Sequence, residues 1–369
     1  MSGAPEPSNA NSPVPSFLST GEHDGLFLSG ALDPPAHPGI FATLGGYHIV
    51  RQIGAGGMGI VFESRDPQNG GRLAIKLLRP ELVGVGQAVH RFLVEARHMH
   101  ELSHPHIVPV FAVEQRERGP FYVMPYMAGC SLAAKLGQPM DTAAATSIAV
   151  EIAEALVYAH VKGILHRDIK PANILLDDRG VSYLSDFGLV RTFFSDSAGG
   201  GIPAKYEGTA PYMSPNVAAG LKEDTRCDIY SFGATLYEML TGTPPYEGRS
   251  SDEVVKKVLS GPPEPIRSKN PKASAALVKV AEACMARELR DRYAEMGDVL
   301  DDLRRAGRGE PIVGPHGAGR TVFRRTALIA AGVLAIGGML AAAWNLNQSK
   351  APITQRVNLP TSMPSVVAT

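Results

Sequence analysis

Short apolar runs, broken by glycine-rich or polar turns, begin at Tyr47 and continue to Met124. Tyr47 to Ile53, Ile60 to Glu63 and Leu73 to Leu77 carry many β-branched residues, the composition of strands joined by hairpins. A helical stretch follows at Gln87 to Leu102, and Val108 to Glu114 and Pro120 to Met124 read as two further strands. After Asp141 the period lengthens to that of a helix. Ile148, Ile152, Ala155, Leu156 and Ala159 share one face, with Asp141 placed to cap it. Ile229, Phe232, Leu236, Met239 and Leu240 form a second such face. Strands first and helices afterwards predict an α+β body of two lobes, one small and sheet-rich, one larger and helical. The cleft between them is the natural ligand site.

The flanks differ. Residues 1–46 are rich in Pro, Ser, Gly and Ala, and prolines such as Pro5, Pro13, Pro34 and Pro38 break any period, which predicts a disordered arm. No basic start precedes a continuous apolar run there, so the arm does not resemble a secretory signal. The body, 47–305, gives way to a Gly/Pro/Arg linker over 306–326. Residues 327–344 then run without a charge, long enough at a rise of ~1.5 Å per residue to cross the hydrocarbon core of a bilayer.

Arg320, Arg324 and Arg325 abut that run, whereas only Lys350 and Arg356 follow it. Positive-inside bias therefore predicts one transmembrane helix in the cell membrane, with the body cytoplasmic. Residues 345–369 become a short extracytoplasmic tail, too small for a folded sensor. Ala331/Ala335 and Gly338/Ala342 have the small-residue spacing that pairs membrane helices into a homodimer. In a segment so rich in Ala and Gly, chance produces the same spacing.

Composition adds little. Hydrophobic residues make up 44% of the 369 and charged residues 20%, enough for a sizeable core. Lys+Arg and Asp+Glu both number 36, so no basic excess points to nucleic acid. Cys130, Cys227 and Cys284 are far apart and odd in number, which indicates neither a disulfide framework nor a zinc ribbon. Small buried apolar side chains are the expected role.

The chemistry sits in four places. Gly54-Ala55-Gly56-Gly57-Met58-Gly59 lies between two strands, where a backbone stripped of side chains can close over phosphates. A dinucleotide-binding turn has similar glycines but needs a helix next, and Ile60-Val61-Phe62 reads as strand. Lys76 lies inside an apolar strand, where it needs a partner against desolvation, and Glu95 on the following helix is the candidate. His166-Arg167-Asp168-Ile169-Lys170-Pro171-Ala172-Asn173 packs a base, two cations and an amide into eight residues, and Asp186-Phe187-Gly188 follows thirteen residues after Asn173. The amide of Asn173 and the carboxylate of Asp186 are hard oxygen donors of the kind Mg²⁺ accepts.

This set resembles the signature of eukaryotic-like (Hanks-type) serine/threonine protein kinases over Tyr47 to Arg305. Arg91-Phe92 with Glu95-Ala96-Arg97, and Gly208-Thr209-Ala210-Pro211-Tyr212-Met213-Ser214-Pro215, are most similar to the bacterial transmembrane members. The resemblance implies a two-lobed protein-kinase fold with ATP in the cleft and protein substrates. The nucleotide would be enclosed by Ile53, Gly54, Ala55, Gly56, Gly57, Met58, Gly59, Ile60, Val61, Ala74 and Lys76. From the hinge and the large lobe come Met124, Tyr126, Met127 and Leu175. Lys76 would hold phosphates while paired to Glu95, Asp168 would deprotonate the acceptor hydroxyl, and Asn173 and Asp186 would hold Mg²⁺. Lys170 resembles the serine/threonine-specific form of the loop.

By the same resemblance, Asp186 to Pro215 is an activation segment, with Thr209 touching Asp168 and Lys170. Thr192, Ser195 and Ser197 would accept a phosphate that Arg167 pairs. Asp228 would accept hydrogen bonds from the catalytic-loop backbone. One departure stands out: the family's Glu after Ser-Pro is Asn216 here, while its partner Arg292 is retained. His98, His100, His104 and His106 crowd together but fall where the family has a helix–strand junction, a structural place. Two other functions fit the same fold, a pseudokinase scaffold at the membrane and a small-molecule phosphotransferase. The retained Lys76, Glu95, Asp168, Asn173 and Asp186 count against the first, and Lys170 with the long segment to Pro215 against the second.

Overall fold

The computed structural model describes residues 30–35, 40–187 and 208–315. The small lobe is a six-stranded antiparallel sheet built from β1 (Ala42–Leu44), β2 (Tyr47–Ala55), β3 (Gly59–Arg65), β4 (Arg72–Leu78), β5 (Ala112–Arg116) and β6 (Gly119–Pro125). The strand order is β1-β2-β3-β4-β6-β5. Alternation of side chains across the sheet divides its faces. Ile49, Phe62, Ile75, Leu77, Phe121 and Val123 pack together on one side. Ala74 and Lys76, their neighbours in sequence, line the cleft on the other.

The sheet begins earlier than expected. Residues 42–44 of the expected disordered arm form β1, and Asp33 bridges to Thr43. Ala31 and Leu32, only 5% and 2% exposed, join the outer core of the sheet. Residues 1–29 and 36–39 of the arm lie outside the described residues, as do Thr192, Ser195, Ser197, the run 327–344 and the tail. The expected strand from Val108 starts only at Ala112. Val108 instead donates its N–H to the carbonyl of Leu184, and Leu184 returns one to that of His106.

Beside the sheet lie a short α1 (Pro80–Val83) and α2 (Gly86–Glu101), the latter burying Phe92, Glu95, Ala96 and Met99. The large lobe is helical. Its α3 (Thr142–Val161) opens on Asp141, whose carboxylate accepts from the N–H groups of Ala143 and Ala144. A hairpin of β7 (Ile174–Leu176) and β8 (Ser182–Leu184) follows. After α4 (Pro215–Ala218) comes α5 (Thr225–Thr241), capped by Asp224 and buried from Asp228 to Thr241. Such all-round burial requires neighbours on every face. One is α8 (Ala275–Cys284), after α6 (Ser251–Ser260) and α7 (Ile266–Lys269), and it approaches so closely that a Cβ on Gly233 would lie 2.5 Å from that of Cys284. The last helix, α9 (Met296–Gly307), packs on α3.

Candidate active site

The cleft between the lobes has a volume of about 590 Å³. Its roof is the β2–β3 hairpin, closed by a hydrogen bond from the Gly56 N–H to the Gly59 carbonyl. Gly59 must lack a side chain: a Cβ there would sit 2.9 Å from the Leu77 carbonyl oxygen and 3.2 Å from Cγ of Lys76. The glycine therefore allows the roof to lie directly on the lysine strand.

Lys76 reaches into the cleft from β4. Its Nζ lies 3.1 Å from Oε1 of Glu95 on α2 and 2.6 Å from Oδ1 of Asp186. Burial alone would favour the neutral amine, but the Asp186 and Glu95 carboxylates outweigh it and hold the ammonium well above the usual lysine range. The carboxylates differ. Burial pushes Glu95 up, and Lys76 only partly offsets this. Asp186 feels burial too, but Lys76 prevails and holds it below the usual range. Asp186 adopts φ +54°, rare for a side-chain-bearing residue, so the backbone is bent to bring its carboxylate to the lysine.

Asp168 faces them from the loop after α3. Its Oδ1 accepts from the Thr209 hydroxyl at 3.0 Å. Its Oδ2 accepts from Asn173 Nδ2 at 2.9 Å and pairs with Lys170 Nζ at 2.9 Å. Lys170 also donates to the Thr209 hydroxyl at 2.8 Å, so four side chains fix one another. Asn173 directs Nδ2 to both the backbone and the side chain of Asp168. That leaves its amide oxygen as an acceptor in the cleft. This oxygen and the Asp186 carboxylate are hard donors, a fit for a divalent cation that takes its remaining ligands from phosphate and water.

The loop is set from below by α5. Asp228, 1% exposed, accepts from the backbone N–H groups of His166 and Arg167, both at 2.8 Å, and contacts His160 Nε2 at 2.9 Å. His166 is fully buried; its Nδ1 accepts from the Asp168 N–H at 3.2 Å. The other ring nitrogen must therefore carry the proton donated to the Ser185 carbonyl at 2.9 Å. Burial favours this neutral ring and lowers its pKa below the usual histidine value.

Of the expected nucleotide-contacting residues, two do not line the cleft. Ile60 points away from it, because its neighbour Val61 takes the inward side of β3, and packs in the outer core. The ring of Tyr126 lies under the guanidinium of Arg72 at 3.8 Å, and its hydroxyl accepts from Arg51. The others face the cleft, joined by Pro125, Gly129, Cys130, Ser131, Ala172 and Ser185. Cys130 thus departs from its expected buried role. The Gly-Cys-Ser run just past the hinge was the signal for three of these residues.

Asn216 and Arg292 do not pair. Arg292 sends its donors to the carbonyls of Ala286, Arg226 and Arg287, while Asn216 Oδ1 is buried without a hydrogen-bond partner. Among the crowded histidines, His100 and His106 bond the carbonyls of Val110 and Ser182.

Residues 47–301 match the family model for the protein kinase domain. The chain is 35% identical over 267 residues to a probable serine/threonine-protein kinase of Corynebacterium efficiens, and 39% identical over 264 residues to the serine/threonine-protein kinase PknK of Mycobacterium tuberculosis. Each alignment takes in 70% of this chain but only 40% and 23% of those longer relatives. Among solved structures, the PknI kinase domain of M. tuberculosis superposes with a TM-score of 0.56 at 26% identity, covering 74% of this chain and 99% of that one. The chain belongs to the protein kinase domain family, in its eukaryotic-like bacterial serine/threonine branch.

Proposed function

We propose that this chain is an active protein kinase that transfers the γ-phosphoryl of ATP to serine and threonine hydroxyls of proteins, itself included. The observation that carries this reading is the convergence of Lys76, Asp168, Asn173 and Asp186 on one cleft. Lys76 supplies a fixed positive charge for nucleotide phosphates, and Glu95 keeps it in place. The glycine hairpin covers them with backbone N–H groups. Asn173 and Asp186 would hold Mg²⁺, which when bound would neutralise phosphate charge. Among the described residues Thr209, Asn173 and Lys170 hold the Asp168 carboxylate in the cleft, where it orients the acceptor hydroxyl and takes its proton as that oxygen bonds to the γ-phosphorus and the bond from the γ-phosphorus to the bridging oxygen of ATP breaks, releasing ADP. Lys170 and Thr209 also bond each other and so brace that carboxylate.

A pseudokinase scaffold would not need this set intact. The test is incubation of the full chain with γ-labelled ATP, Mg²⁺ and a generic protein substrate, followed by phosphoamino-acid analysis. Label on serine and threonine that disappears with Asp168→Asn or on chelation of the cation supports the assignment; equal label with that variant defeats it.

Membrane anchoring through 327–344, with the kinase domain cytoplasmic, is part of the same proposal and rests on the sequence. Among the described residues one helix, α3, is long and apolar enough to cross a bilayer. Its Ile148, Ile152 and Leu156 are core residues of the large lobe.

A further inference from the structure

Toward the hinge end of β4, the cleft face of the sheet continues as charged side chains. Two residues before Ala74, on the same face of β4, stands Arg72; two after Val61, on β3, stands Glu63, in register with Ala74. Arg51 on β2 is in register with Glu63. Glu63 is 5% exposed, and a carboxylate that deep needs counter-charge. It receives two: Oε2 lies 2.9 Å from Arg51 Nε, and Oε1 lies 2.8 Å from Arg72 Nη2. The arginine side chains are themselves about half exposed.

Both guanidiniums then reach the hinge. Arg72 lies over the Tyr126 ring, 3.8 Å from its centroid, and Arg51 Nη2 donates to the Tyr126 hydroxyl at 3.3 Å. Tyr126 is off the cleft, but it stands between Pro125 and Met127, which line it. An exposed arginine on its own is weakly fixed. Glu63 changes that, because it gathers two like charges that would otherwise repel and keeps both beside one side chain. We infer that Glu63 is a positioning residue for nucleotide binding: through Arg51 and Arg72 it fixes Tyr126, and so sets the hinge backbone against β2 and β4 at the gap into which the base of ATP fits. This role rests on the protein-kinase reading above, and it gives Tyr126 a part in binding from outside the cleft. Asp168 and Asp186 have other partners, so affinity depends on the cluster and phosphoryl transfer does not.

The experiment uses the full chain in detergent. Peptide phosphorylation is followed as ATP is varied, and ATP affinity is read separately by displacement of a fluorescent nucleotide. Glu63→Gln keeps the size of the side chain and removes its charge. It should raise KM and Kd for ATP by about fivefold or more, with kcat at saturating ATP within about twofold of the parent, the pattern of lost binding shared by ground and transition states. Tyr126→Leu should do the same, and Tyr126→Phe, which keeps a ring under Arg72, should have a smaller effect. If Glu63 acts through Tyr126, E63Q/Y126L binds ATP no more weakly than Y126L alone. Tyr126 is only partly buried, so its variants keep the test decisive should Glu63→Gln fail to fold.

A Tm lowered by Glu63→Gln with KM and Kd for ATP unmoved would reduce the cluster to a structural brace and overturn the inference. So would Tyr126→Leu with the parent's ATP affinity, or additive losses in the double variant. Absence of transfer by the parent chain, with ATP still bound, would instead reject the kinase reading, so the two failures are distinguishable.

Discussion

Replacing Asp228 by alanine tests whether the active-site loop is held from the core of the large lobe. The carboxylate is 1% exposed and accepts two backbone N–H groups at 2.8 Å, besides its contact with His160. Alanine leaves both N–H groups buried without an acceptor, at about 1–3 kcal/mol each, or roughly 2–6 kcal/mol together. For a domain of this size, ~1 kcal/mol corresponds to about 2–4 °C in Tm, so a fall of roughly 5–20 °C is expected. Asp228→Asn keeps one oxygen but turns an NH₂ toward the second donor, and should lose about half as much. The loop also carries Asp168, and a displacement of ~1 Å there costs on the order of a hundredfold in rate. Thermal unfolding by circular dichroism, paired with steady-state phosphorylation well below Tm, reads both effects. An alanine variant that melts with the parent, or keeps its kcat, refutes the reasoning.

Other outcomes follow from the same geometry. Asn216→Glu should raise stability by about 1.5–3 kcal/mol if a new carboxylate reaches the buried Arg292, measured by denaturant midpoint; no gain would mean that the backbone carbonyls already satisfy the guanidinium. Acidification should destabilise the chain in two steps. Burial lowers the pKa of His166; for Asp228 burial acts the other way but is outweighed by His160 and the loop N–H groups, so it too is lowered. Both groups therefore contribute fully above their unfolded values and lose that contribution as pH falls, first below about 6.5 for His166, then below about 3.9 for Asp228. A Tm that stays flat across the first window contradicts the buried neutral ring. For topology, a reporter fused after Thr369 should be active only outside the cytoplasm, and cytoplasmic activity there would overturn the membrane orientation.

Much of this was legible in the residues. The glycine run, the loop from His166 to Asn173 and Asp186 at its spacing are local motifs, readable as candidates for phosphate and metal binding, and the fold brings them to one cleft. The alternation that placed Ala74 and Lys76 on one face of β4 was also readable. The same alternation turns Ile60 to the outer face of β3, against the expectation that it contacts the nucleotide with Val61. Tyr126, expected at the nucleotide, lies off the cleft because Arg51 and Arg72, distant in sequence, hold its hydroxyl and ring. The contact of Arg167 Nε with Glu223 Oε2 at 2.9 Å is out of reach of sequence for the same reason: only the folded chain brings the α4–α5 connection back to the loop. Residues 42–44 escaped because a strand of three residues leaves almost no periodic signal among prolines.

The central claim is that Asp168 acts on the acceptor hydroxyl and not on the nucleotide. Single-turnover phosphorylation and nucleotide affinity measured on Asp168→Asn separate the two directly. The account predicts a fall in rate of at least about a hundredfold with nucleotide Kd changed by less than about threefold. A variant that keeps its rate, or loses it only in proportion to nucleotide binding, would contradict it.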